Sequence, residues 1–181
     1  MNILDKICET TKERIEKEKQ KISLIEVRKI AESIKSAEKE NYFNFEKAIG
    51  KKEKINFICE IKKASPSKGI ISEDFDYIKI AKDYEKAGAD AISCLTEPNY
   101  FMGSDKYLEE IKETVNIPIL RKDFIIDEYM IYQSKNIKAD AILLIAAVLE
   151  KYKLKDYFEI ANSLGLSSLF EIHNEEELEK V

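Results

Sequence analysis

Charged side chains close several short apolar runs in this sequence. Glu60 and Lys62 end the run Phe57-Ile58-Cys59, and Lys122 with Asp123 ends Ile119-Leu120-Arg121. Glu171 and His173 end Ser168-Leu169-Phe170, and Glu97 stands just past Ala91-Ile92-Ser93-Cys94-Leu95. A lone charge at a strand end is commonly a solvated loop entry, and His173 by itself fits that description. Recurrence on several strands points instead to function, because charges there are costly to bury without purpose. Glu60 and Lys62 are two apart and so share one face of their strand. Lysines and carboxylates gathered in one mouth perturb each other's proton affinity, which suits general acid and base chemistry near neutral pH. No Ser-His-Asp triad is apparent, and the single histidine excludes a multi-histidine metal site. The expectation is acid–base chemistry on a small anionic substrate, with no metal and no cofactor. After Lys62, the stretch Lys63-Ala64-Ser65-Pro66-Ser67-Lys68-Gly69 offers hydroxyls and lysines to phosphate or carboxylate oxygens. The same stretch also suits an ordinary turn.

These residues need a scaffold that brings strand ends together. Five runs, beginning at residues 57, 91, 119, 141 and 168, are mainly apolar, as in a parallel sheet buried on both faces. Amphipathic helices separate them; the one from Tyr77 to Ala87 ends before Gly88, a natural helix stop. Ala89-Asp90-Ala91-Ile92 recurs as Ala139-Asp140-Ala141-Ile142, each copy opening a strand. The strands recur every 28 residues or so, about the pitch of a TIM (β/α)8 barrel. The fold expected is therefore α/β, an incomplete barrel with about five strands present. A doubly wound open sheet is the rival, but no Gly-rich dinucleotide loop follows the first strand. Residues 1–50 form a separate helical extension in this reading, and 51–181 the partial barrel. Within the extension, Ile3, Ile7, Ile15, Ile22, Ile25, Val27, Ile30 and Ile34 recur at mostly helical spacing and predict two helices broken near Ser23. A short coiled coil competes weakly, since no strict heptad persists.

A net charge of -5, with 30 basic against 35 acidic side chains, gives no reason to expect nucleic-acid binding. No apolar run nears the roughly 20 residues of a membrane span, and the first residues lack a secretory signal. Cys8, Cys59 and Cys94 have no metal-ligand spacing and are expected to be buried, reduced thiols of a cytoplasmic protein.

Four ordered motifs resemble those of indole-3-glycerol phosphate synthases. Cys59 to Gly69 is similar to the signature Glu-x-Lys-x-x-Ser-Pro-Ser-x-Gly, and Leu95 to Ser104 resembles the second loop. Pro118 to Ile125 resembles the third strand, and Leu169 to His173 the fifth. The resemblance implies closure of an indole ring: 1-(2-carboxyphenylamino)-1-deoxyribulose 5-phosphate loses carbon dioxide and water to give indole-3-glycerol phosphate. By motif, Lys122 takes the place of the general acid and Glu171 that of the general base or partner acid. Lys62 falls where substrate carboxylate or phosphate is contacted, Glu60 where Lys62 is oriented, and Ser65 where substrate binds. Phe101, Phe124 and Leu143 would wall the anthranilate ring, or be ordinary packing. The family's sixth to eighth strands lie beyond Val181, so a C-terminally truncated barrel is expected. Its phosphate grip would be weak, and its open edges would invite self-association. Two alternatives stay open, another sugar-phosphate barrel enzyme and a non-catalytic half-barrel that oligomerises or docks a partner.

Overall fold

The computed structural model describes residues 2–38, 42–51 and 54–181. Helix α1 (Ile3–Lys21) and helix α2 (Leu24–Ala37) meet at Ser23, whose side chain caps α2 in a reciprocal box with Glu26. A break at a capping serine is what the sequence predicts. Burial follows the stripes Ile7-Thr11-Ile15 and Val27-Ala31, each four apart. Ile22, Ile25 and Ile30 lie off those stripes and are exposed, and Ile3, in line with the first stripe, is exposed at the start of α1. A short helix, α3 (Asn44–Ile49), follows.

The chain then alternates. Strand β1 (Ile58–Ile61) leads into a small antiparallel hairpin of β2 (Ala64–Ser65) and β3 (Gly69–Ile70), which the sequence presented only as a loop. Next come α4 (Tyr77–Lys86), β4 (Ala91–Leu95), α5 (Asp105–Lys112) and β5 (Ile119–Lys122). The order ends with α6 (Glu128–Asn136), β6 (Ala141–Ile145), α7 (Lys151–Ser163), β7 (Ser167–Glu171) and α8 (Glu175–Leu178). Among the described residues the main sheet has five strands in the order β1-β4-β5-β6-β7, every pair parallel. This is the α/β arrangement of part of a (β/α) barrel, preceded by helices.

Alternation along each strand separates two faces. Ile61, Ile92, Cys94 and Ile119 pack outward with Ala81 of α4 and Leu108 and Ile111 of α5. Ile142 and Leu144 pack outward with Met130 and Ile131 of α6 and Leu154 and Ala161 of α7. Inward, Ala91, Leu120 and Ala141 surround Phe45 of α3, so a segment ahead of the strands plugs the bottom of the sheet. Burial pushes the Cys94 thiol up to about 12. Cys8 and Cys59 are only partly buried, which corrects the expectation that all three thiols are buried. Cys59 lies on an edge strand, where one neighbour is lacking among the described residues.

The internal repeat has a structural role. Asp90 accepts a hydrogen bond from the Phe57 amide at 3.0 Å, and Asp140 accepts one from the Ile119 amide at 2.8 Å. Each aspartate thus ties the start of its strand to the start of the preceding one. No helix among the described residues is long and apolar enough to cross a membrane.

Phe45 is 2% exposed and its neighbours Ala91 and Ala141 are too small to fill its place. Phe45→Ala should lower stability by about 3–5 kcal/mol, measured by urea denaturation.

Candidate active site

The inward parity that buries Ala91, Leu120 and Ala141 carries Glu60, Lys122, Leu143 and Glu171 on the same face at the C-terminal ends. Lys62, just past β1, shares that parity with Glu60. The structure brings the four charged candidates into two pairs. Glu60 accepts a hydrogen bond from the Lys62 ammonium, and Lys122 Nζ donates to Glu171 Oε2 at 2.8 Å. The second pair reaches across β6, because β5 and β7 are not neighbours. Two strand spacings amount to roughly 10 Å, which a long lysine and a glutamate span over the inner face. All four side chains are about one-third exposed, open to a ligand but not freely solvated.

Leu143, on β6 between the members of the second pair, is 2% exposed and forms floor rather than open wall. Phe101 and Phe124, from the loops after β4 and β5, stand with ring centroids 6.0 Å apart and planes tilted by 35°. Ser65, in the hairpin after β1, accepts from the Lys68 amide at 3.3 Å and lies 3.4 Å from the Ser67 hydroxyl. His173 is mostly exposed, with Nε2 3.7 Å from Glu171 and Nδ1 3.4 Å from Glu177.

Two other strand-end charges have different work. Asp123 is fully buried and points away from the inner face. One Arg14 nitrogen, from α1, reaches both its oxygens at 3.0 Å, the Thr96 hydroxyl donates to it at 2.8 Å, and Arg121 stands 3.5 Å away. Arg121 donates in turn to Thr96, the Met130 carbonyl, Ser134, Asp105 and Gln133. Burial opposes the charge on Asp123. The Arg14 and Arg121 guanidiniums, with hydrogen bonds from Arg14 and Thr96, outweigh it and hold the carboxyl below its ordinary value. Glu97 is likewise buried, and its carboxylate accepts backbone N–H groups of its own loop.

Sequence reasoning missed Arg14, Thr96 and Arg121 as supports of β5. One signal was present: Arg121 interrupts an apolar strand at an outward position, where only a prepared polar network tolerates a guanidinium. A separate cleft of 520 Å³ lies between α1 and the loops after β5 and β6, bordered by Cys8, Lys12, Ile15, Ile126 and Val148. None of the four inner-face charges borders it.

A sequence model described as indole-3-glycerol phosphate synthase matches residues 4–181. The chain belongs to the indole-3-glycerol phosphate synthase family. It is 58% identical over 177 residues to the indole-3-glycerol phosphate synthase of Endomicrobium trichonymphae, covering 98% of this chain and 67% of that protein. The Ruminiclostridium cellulolyticum synthase is 55% identical over 176 residues, 97% of this chain and 66% of that protein. A third, from Campylobacter fetus subsp. fetus, is 48% identical over 180 residues, 98% and 67% respectively. The chain thus spans about two thirds of the length of these synthases. The synthase family is one of carbon–carbon lyases in tryptophan biosynthesis, acting on a phosphorylated substrate.

Asp123→Asn would leave the part-buried Arg14 without its paired anion, while Arg121 keeps Asp105 at 2.8 Å, and should cost about 3 kcal/mol at neutral pH. Because the folded carboxyl titrates below its unfolded value of about 3.9, its contribution is complete above that value and lost as pH falls through the folded one. Urea midpoints followed from pH 7 to pH 2 should therefore decline on the acid side in the parent and decline less in Asp123→Asn.

Proposed function

We propose that this chain carries the acid–base groups of indole-3-glycerol phosphate synthesis, and that the Lys122–Glu171 pair is its working centre. The observation that carries the proposal is the 2.8 Å contact between the two on the sheet's inner face. An ion pair presents an ammonium proton to donate beside a carboxylate ready to accept one.

In this reading, the anthranilate ring of 1-(2-carboxyphenylamino)-1-deoxyribulose 5-phosphate lies against Phe101 and Phe124, over the floor at Leu143. The ring carbon bearing the carboxylate attacks the ketone carbon, and Lys122 gives its proton to the carbonyl oxygen, which becomes a hydroxyl. The carboxylate leaves as carbon dioxide, and the bonding pair restores the aromatic ring. For dehydration, a protonated lysine supplies the proton with which the hydroxyl departs as water. Glu171 takes the proton from the adjacent ring carbon, completing the indole. Lys62 contacts substrate carboxylate or phosphate, Glu60 orients Lys62, and Ser65 binds substrate oxygens. Cytoplasmic residence accords with this biosynthetic role. Self-association through the sheet edges belongs to the same reading, supported by exposed Phe57 and Ile58 at the start of edge strand β1.

The test is product formation by the purified chain, and by a chimera that continues it with the remaining third of the Endomicrobium trichonymphae relative. The chain has no tryptophan, so indole emission from its own assay reports product alone. The chimera should turn over, with Lys122→Ala and Glu171→Gln each slower by about 100-fold or more. Unchanged turnover in either variant would remove that residue from the mechanism.

A further inference from the structure

Glu97 closes β4 with a charge that takes no part in the acid–base pairs. Its side chain is fully buried. Oε1 accepts the Asn99 amide at 2.9 Å, while Oε2 accepts the amides of Tyr100 at 2.7 Å and Phe101 at 3.1 Å. Its own carbonyl accepts the Gly103 amide at 2.8 Å. The loop is therefore wound around one carboxylate. The turn is tight: Met102 has a left-handed φ of 53°, and a Cβ on Gly103 would lie 2.5 Å from the Leu95 carbonyl oxygen. Phe101 extends the arrangement in two directions. Its ring meets Phe124, and its carbonyl accepts the Ala64 amide at 3.2 Å, joining the loop to the hairpin that holds Ser65.

We propose that Glu97 is a positioning residue for the aromatic half of the site: its carboxylate fixes the turn that holds Phe101 against Phe124 and anchors that wall to the Ser65 hairpin. This deepens the reading under Proposed function and rests on it for the nature of the ligand. Three backbone donors converge on two anionic oxygens. In Glu97→Gln one oxygen becomes an NH2 group, which donates and cannot accept, so at least one of the three part-buried N–H groups loses its partner. The loop should loosen and the Phe101 ring should lose its fixed place. Lys122 and Glu171, on other strands, should keep their contact.

The experiment measures binding of indole-3-glycerol phosphate by the chain and by Glu97→Gln, from the anisotropy of the ligand's indole, together with amide exchange at Asn99, Tyr100 and Phe101. Loss of about tenfold in affinity, the scale of one aromatic contact, with faster exchange at the three amides, is the expected result. Parent-like affinity and parent-like exchange would overturn the role of Glu97 while leaving the proposed function standing. If the parent chain fails to bind the product, it is the proposed function that fails for this chain. The amides then decide the positioning role alone, faster exchange supporting it and unchanged exchange refuting it. Should Glu97→Gln not fold, Glu97→Asp keeps the charge but shortens the reach, and the same two readouts apply. In the chimera, Glu97→Gln should raise KM with little change in the pH profile of kcat, whereas a shifted profile would place Glu97 in the acid–base machinery instead.

Discussion

The geometry of the site depends on one buried carboxylate. Asp123 follows Lys122 directly and lies among Arg14, Thr96 and Arg121. Removing a carboxylate from water costs several kcal/mol, and only close cations and hydrogen bonds offset it. Here one guanidinium comes from α1 and the other from β5 itself. The Thr96 hydroxyl joins them, and the Thr96 amide also donates to the Lys122 carbonyl at 3.0 Å. Because such a network is poorly satisfied in any other arrangement, it fixes where β5 ends and which way the next residue back points. Lys122 is that residue, and it faces the inner side opposite its neighbour.

The strand-end charges consequently divide by burial. Inward positions gather Glu60, Lys62, Lys122 and Glu171 into two contacting pairs that a ligand can reach. Asp123 and Glu97 are sealed from solvent and organise backbone and helices. The same division explains why α1 matters to a sheet it does not join: Arg14 is the cation that a buried Asp123 requires. Loops after β4 and β5 then set Phe101 beside Phe124 as a tilted pair of aromatic rings. In the function proposed above, the inner-face charges transfer protons and the two rings meet the substrate's aromatic ring.

Much of this was legible in the sequence, for identifiable reasons. Short apolar runs marked all five strands of the main sheet, within a residue of their starts, because parallel strands are covered on both faces. Ser23 marked the helix break because its side chain caps a helix start. The acidic and basic residues of the inner face were legible from their place at strand ends. Their separation from Asp123 and Glu97 was not, since all end apolar runs alike. The deciding partner of Asp123, Arg14, lies 109 positions away and is chosen by packing of the whole chain. The Asp90 and Asp140 repeat was visible as repetition, but its hydrogen bonds to Phe57 and Ile119 needed the strands side by side. The β2–β3 hairpin was missed because two-residue strands carry too little alternation to register.

The most direct measurement is a crystal structure of the chain with indole-3-glycerol phosphate bound. The indole should lie against Phe101 and Phe124 on the inner face, with Lys122 and Glu171 at its reacting edge. A ligand seated instead in the cleft beneath α1, beside Cys8 and Lys12, would contradict the placement of the chemistry on the inner strand ends.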